Sequence, residues 1–261
     1  MVRQTLTDRR GLVTGASSGI GRALALELAR CGVDLILLAR REDRLAEVAS
    51  EIRKLGRRAV IIAGDVTDST ARRRALDAAR DELGGLDILV NNAGVAAHGR
   101  FADADPGRLR PIMEVNFFAA AELTREALPL LRTGVQPVVV NVGSILGHRG
   151  APHKSEYSAS KFALHGFSEA IRPELARLGI DVLVVTAGPT DTEHFDTLLE
   201  AHGELPWGNP RRVPAESVAR TIVGAIKRGR HTVITHWRGW FWITLNRFAP
   251  WIVDRIMGRF G

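Results

Sequence analysis

Cysteine is almost missing from this 261-residue chain: Cys31 stands alone, so no disulfide can close within it and no cysteine-ligated metal is expected. No metal site is expected at all, and cytoplasm is the simplest address. Tyrosine also occurs once, as Tyr157. Lysine is confined to Lys54, Lys154, Lys161 and Lys227, so the 36 basic residues, set against 29 acidic ones for a net charge of +7, are mostly arginines. That balance favours anionic partners. The arginines are spread along the chain rather than gathered into a stripe, which fits a solvated surface and gives a nucleic-acid partner little support. No run of about 18 uninterrupted apolar residues is available to span a bilayer. The opening MVRQTLTDRRGLVTG is too polar for a secretory core, so no signal peptide is expected.

Also absent are internal repeats and any Gly/Ser-rich linker, and 45% hydrophobic composition is enough for one sizeable core. Seven apolar runs have strand length: Leu12–Thr14, Val33–Ala39, Ala59–Ala63, Leu86–Val90, Val138–Val142, Val182–Thr186 and His231–Thr235. Several are unbroken (LILL, VVV, VLVV), as strands covered on both faces require. Between them lie segments of helical periodicity at 22–30, 44–55, 71–83, 114–131, 159–178 and 216–227. The alternation predicts an α/β fold: a doubly wound, mostly parallel seven-stranded sheet in a single domain over residues 1–236, followed by an apolar and basic extension, 237–261.

Directly after the first strand run comes Thr14-Gly15-Ala16-Ser17-Ser18-Gly19-Ile20-Gly21, leading into a helix. Glycines there permit a tight turn and close backbone approach to a pyrophosphate, while free N–H groups at the helix start attract its charge. Gly15, Ser17, Ser18, Gly19, Ile20 and Gly21 are therefore candidate dinucleotide contacts. The second strand ends at Ala39 with no acidic residue to bond a ribose diol; Arg40-Arg41 follows instead. A guanidinium there can grip a 2′-phosphate, which favours NADP(H) over NAD(H). The competing reading is that Arg40 and Arg41 merely open a solvated helix.

The spacing TGxxxGxG resembles the short-chain dehydrogenase/reductase family, whose fold is Rossmann-like. The resemblance runs from about Gly11 to Thr235. It implies that Asp65-Val66 meets the adenine, and it covers the Asn91-Asn92-Ala93-Gly94 segment, which gives Asn92, Ala93 and Gly94 as cofactor contacts. Ala187-Gly188-Pro189-Thr190-Asp191-Thr192 resembles the family's PGxxxT segment with alanine for the first proline, assigning Gly188, Thr190 and Thr192 to the nicotinamide amide.

Tyr157 and Lys161 lie four residues apart, on one face of a helix. A YxxxK pair is by itself commonly a solvated pair. Here Ser144 precedes the tyrosine by 13 residues and Asn116 lies on the long helix before it, and the resemblance makes Asn116, Ser144, Tyr157 and Lys161 the catalytic set. A phenol titrates near ~10 and exchanges protons poorly at neutral pH, but an adjacent ammonium favours its phenolate. Tyr157 is then the acid/base, Lys161 supplies the field and bonds the nicotinamide ribose, Ser144 steadies the substrate oxygen, and Asn116 holds a water path to the lysine. The implied activity is hydride transfer between NADP(H) and a carbonyl or secondary alcohol; the alternative is an NADP(H)-binding sensor with little turnover. A homodimer or homotetramer is implied as well.

Two stretches remain. Residues 193–214, with His194, Phe195, His202 and Trp207, occupy the place of a substrate-covering lid. His148, His153 and Phe195 could line the pocket or simply pack. From Trp237 the chain reads WRGWFWITLNRFAPWIVDRIMGRFG, with four of the five tryptophans among four arginines. It either packs on its own domain, a substrate pocket or another subunit, or lies in a membrane interface, with Pro250 breaking it in two. Either way a hydrophobic substrate is expected.

Overall fold

Because side chains alternate across a strand, unbroken apolar runs must feed two cores, one on each face of the sheet. The computed structural model describes residues 5–191, 199–201 and 212–260. Its main sheet has seven parallel strands: β1 (Arg10–Thr14), β2 (Asp34–Ala39), β3 (Ala59–Ala63), β4 (Ile88–Asn91), β5 (Val138–Ser144), β6 (Asp181–Ala187) and β7 (Thr232–Ile234). Their spatial order is β7-β6-β5-β4-β1-β2-β3. Val13, Leu35, Leu37 and Val140 pack on one side with helices α1 (Gly19–Arg30), α2 (Glu42–Lys54) and α7 (Ala215–Lys227). Their strand neighbours Leu12, Ile36, Leu38 and Val139 enter the opposite core with α3 (Ser69–Asp81) and α5 (Ala119–Leu131). Strand order reverses between β1 and β4, which opens a crevice at the carboxyl ends of these strands.

Element edges differ from the sequence expectation where polar partners decide them. β1 starts at Arg10, ahead of its apolar run, because the buried Asp87 carboxylate accepts from the Arg10 N–H at 2.8 Å and from its guanidinium at 2.9 and 2.7 Å. The helix expected from residue 114 begins earlier, as α4 (Leu109–Met113), and passes through a π turn (Glu114–Phe118) into α5. The next helix, α6 (Ser155–Ala176), starts four residues before its apolar pattern. That extension takes in Tyr157.

Beyond β7 the chain forms α8 (Trp237–Phe248) and α9 (Pro250–Met257), broken at Pro250 as expected, since proline fits a first helical turn and not an interior. Val213–Pro214 pairs with Thr190–Asp191, and Glu200–Ala201 pairs with Ala97–His98. The expected cofactor residue Thr192 and the lid residues His194, Phe195, His202 and Trp207 lie outside the described residues.

Candidate active site

The crevice is walled by the glycine loop between β1 and α1. Gly15 and Gly19 adopt φ of 64° and 52°, conformations that cost a side chain energy. A Cβ on Gly21 would come within 2.2 Å of the Gly15 carbonyl oxygen and 2.5 Å of Asn92 Nδ2. The loop is thus packed backbone to backbone, with Ser18 as the N-cap of α1 and Ile20 half-buried in its first turn.

Thr14 stitches this loop to the segment after β4. Its Oγ1 accepts from the N–H groups of Asn92 and Ala93 at 2.9 and 3.0 Å and donates to the Val90 carbonyl at 3.1 Å. Asn92 Nδ2 returns a bond to the Thr14 carbonyl at 2.9 Å. Beneath lies a buried chain in which Asn91 Nδ2 donates to Thr124 Oγ1 and to Asn141 Oδ1, while Asn141 Nδ2 donates to Ser168 Oγ. Thr14 and Asn91 stand in the quoted motifs without an assigned role, and Asn141 reads in sequence only as part of a strand run. The available signal was an amide in the middle of an apolar run such as VVVNV, which a core tolerates only when it is bonded.

At the outer end of the crevice Arg40 is exposed, and the half-buried Arg41 donates to Ser17 Oγ at 3.3 Å. Of the two arginines, Arg41 reaches the glycine loop. Asp65 accepts from the Thr67 N–H and hydroxyl, whereas the Val66 side chain is buried in the core on the α3 side. Gly188 stands beside Ile145 and His236, and the buried Thr190 donates to the Gly188 carbonyl at 2.9 Å.

Three elements bring the remaining expected residues together. Ser144 ends β5, Tyr157 and Lys161 face it from the first turns of α6, and Asn116 sits in the π turn. The turn after β5 packs tightly on α6: a Cβ at Gly147 would fall 2.7 Å from the Lys161 carbonyl oxygen. The Tyr157 hydroxyl is hydrogen-bonded to Ser144. Lys161 Nζ donates to the Val142 carbonyl at 3.1 Å and lies 5.7 Å from the centre of the Tyr157 ring. Asn116 is buried, receives the Val95 N–H at 2.8 Å, and donates to the Val95 carbonyl and to Ser160 Oγ, each at 2.9 Å. The start of α6 is further held by a buried Arg108–Glu156 pair, bonded at 3.0 and 2.8 Å. Residues 48 apart in sequence carry no local sign of such a partnership.

Burial governs the charges here. It pushes the Tyr157 phenol up to about 12, against a smaller downward pull from the Ser144 hydrogen bond. Burial also brings Lys161 down to about 8. Desolvation is the larger of the two influences on the phenol, ahead of the Ser144 hydrogen bond. The phenol holds its proton through the neutral range. His148, one of the expected pocket candidates, bonds Thr186 Oγ1 at 2.9 Å and is brought down to about 4 by burial and by the neighbouring His165. It packs between strands and helix as a neutral imidazole.

Comparison with known proteins agrees with this fold. The short chain dehydrogenase family profile matches residues 10–203. The chain is 32% identical to "Ketoacyl reductase HetN" of Nostoc sp. over 98% of its own length and 91% of that protein. It is 33% identical to "Hydroxysteroid 11-beta-dehydrogenase 1-like protein A" of Xenopus laevis over 98% of its length and 88% of that protein. A solved short chain dehydrogenase from Burkholderia cenocepacia, in complex with NADP, superposes with a TM-score of 0.78 at 32% identity, covering 88% of this chain and 97% of that one. With the fold, the ordered motifs and these likenesses in agreement, the chain belongs to the short-chain dehydrogenase/reductase family of oxidoreductases.

Proposed function

We propose that this protein transfers hydride between NADP(H) and a hydrophobic ketone, aldehyde or secondary alcohol, with Tyr157 as the proton donor and acceptor. The observation that carries the reading is the convergence of Ser144, Tyr157 and Lys161 at the carboxyl end of β5, beside a glycine loop too tightly packed to admit side chains. The cradle suits a dinucleotide: Gly15, Ser17, Ser18, Gly19, Ile20 and Gly21 would hold the pyrophosphate at the start of α1. Asp65 and Val66 would flank the adenine, Asn92, Ala93 and Gly94 the adjoining ribose, and Gly188, Thr190 and Thr192 the nicotinamide amide. Arg41, already over Ser17, and the exposed Arg40 would meet a 2′-phosphate. The NADP complex of the 32%-identical Burkholderia protein supports the same choice.

Bound there, a reduced nicotinamide supplies the hydride. The protein's own part is proton handling and positioning. Ser144 would bond the substrate oxygen where charge develops, and Tyr157 would donate its proton to that oxygen as the alcohol forms. Lys161, set between the Val142 carbonyl and Gly94, would bond the ribose and return a proton to the phenol. The buried Asn116, bonded to Val95 and Ser160, fixes the π turn beside the lysine. Relatives named for ketoacyl and hydroxysteroid chemistry support an apolar carbonyl substrate.

The test is turnover of purified protein with NADPH against NADH over carbonyls of increasing hydrophobicity, repeated with Arg41→Ala. The reading predicts NADPH preference that falls about tenfold or more in the variant, the worth of one charge-assisted bond. Cofactor binding without turnover on any carbonyl would favour a sensor instead.

A further inference from the structure

The carboxyl-terminal helices gather exposed aromatic side chains on neighbouring turns. Trp237 is 74% exposed, Trp240 60%, Phe248 74% and Trp251 66%, with Phe241 and Ile252 also open. At about 100° per residue, Trp240, Phe248, Trp237 and Phe241 fall within roughly one third of the α8 circumference, with Arg247 at one edge and Arg238 at the other. Gly239 points the opposite way, where a Cβ would meet Ile145 Cδ1 at 2.6 Å. The Arg238 guanidinium lies 5.8 Å from the centre of the Trp237 ring.

The inner face is fixed to the catalytic side of the domain. Arg149 donates to Asp254 at 2.6 Å and to Asn246 at 3.3 Å, and Asn246 donates to the His148 carbonyl at 3.4 Å. Val253 is buried. These bonds engage the only acidic residue of the segment, leaving Arg238, Arg247, Arg255 and Arg259 exposed around the aromatic patch.

We propose that this face docks on an anionic phospholipid surface. An aromatic arc edged by arginines matches a bilayer interface, where indoles sit among headgroups and guanidinium groups meet lipid phosphates. A second copy of the chain is a poorer occupant, because pairing like faces would press four arginines against four across an apolar contact. Among the described residues no helix is long and apolar enough to cross a membrane, so the contact is peripheral. Its position beside Ile145, next in sequence to Ser144, and beside Arg149 puts the lipid surface near the reaction site on the reading proposed above.

The experiment is cosedimentation of the full chain with phosphatidylcholine vesicles, with and without phosphatidylserine, at physiological ionic strength. Quenching of tryptophan emission by lipids brominated along the acyl chain serves as a second readout. The expected result is partitioning about tenfold stronger with phosphatidylserine, quenching of the emission, and loss of the anionic preference in Arg238→Glu/Arg247→Glu. Trp240→Ser/Phe241→Ser should weaken partitioning about tenfold while circular dichroism stays unchanged. No binding to anionic vesicles, or binding untouched by both double variants, would overturn the proposal. So would a soluble oligomer that Trp240→Ser/Phe241→Ser dissociates, which would make the face a contact between copies. Neither readout requires enzymatic turnover, so failure here and failure of the proposed reaction are separable.

Discussion

The dinucleotide half and the segment from Trp237 onward use apolar side chains in opposite ways. In β1, β2 and β4 every apolar residue is buried, and the polar residues that remain, Arg10, Thr14, Asp34 and Asn91, are bonded within the fold. In α8 and α9 the large rings other than the half-buried Trp242 are exposed, and only Gly239 and Val253 are buried. The first pattern leaves little room for change, because loop, strand and amide chain hold one another. The second fixes only an inner face to the domain and leaves the outer face to be selected for whatever it meets.

Substitutions at the two regions should separate them, beginning with the largest effect. Glycine to alanine inside a helix ordinarily stabilises by about 0.5–1 kcal/mol. At Gly21 the added carbon would strike the Gly15 carbonyl and Asn92, so Gly21→Ala should destabilise by about 1–3 kcal/mol and cost more than tenfold in NADPH affinity, read by urea unfolding and cofactor titration. Unchanged affinity would show that the loop is not the cradle.

Asp87→Asn comes next. Burial pushes this carboxyl up, but bonds from the Arg10 side chain and from the Val135 and Arg10 N–H groups together hold it below the ordinary range. Removing its charge should cost about 2–3 kcal/mol. A depressed folded value means that this stabilisation is present above the unfolded carboxylate value of about 3.9 and is lost as pH falls through the folded value. Unfolding followed from pH 7 to pH 2 should therefore show a steeper acid loss in the wild type than in Asp87→Asn. The smallest effect belongs to the tail: Trp240→Ala should change unfolding free energy by less than about 0.5 kcal/mol, since its ring rests on water. A larger loss would mean that the ring packs on the domain after all.

Much of this was legible in sequence because it is local. The strand runs, the TGASSGIG loop and the four-residue step from Tyr157 to Lys161 all depend on neighbours within a few positions. The π turn at Glu114–Phe118, the Arg108–Glu156 pair, the reach of Arg41 to Ser17 and the anchoring of α8 on Ile145 depend on residues distant in sequence, which periodicity does not encode.

The central claim is that Tyr157 moves the proton. It is tested most directly by following NADPH consumption on a hydrophobic ketone with the wild type and Tyr157→Phe, alongside NADPH affinity. The sole tyrosine leaves no other phenol to substitute, so turnover should fall by about 10²–10⁴-fold while NADPH affinity stays within a few-fold. Turnover that survives the loss of the hydroxyl would contradict the mechanism and move the proton-transfer role to another group.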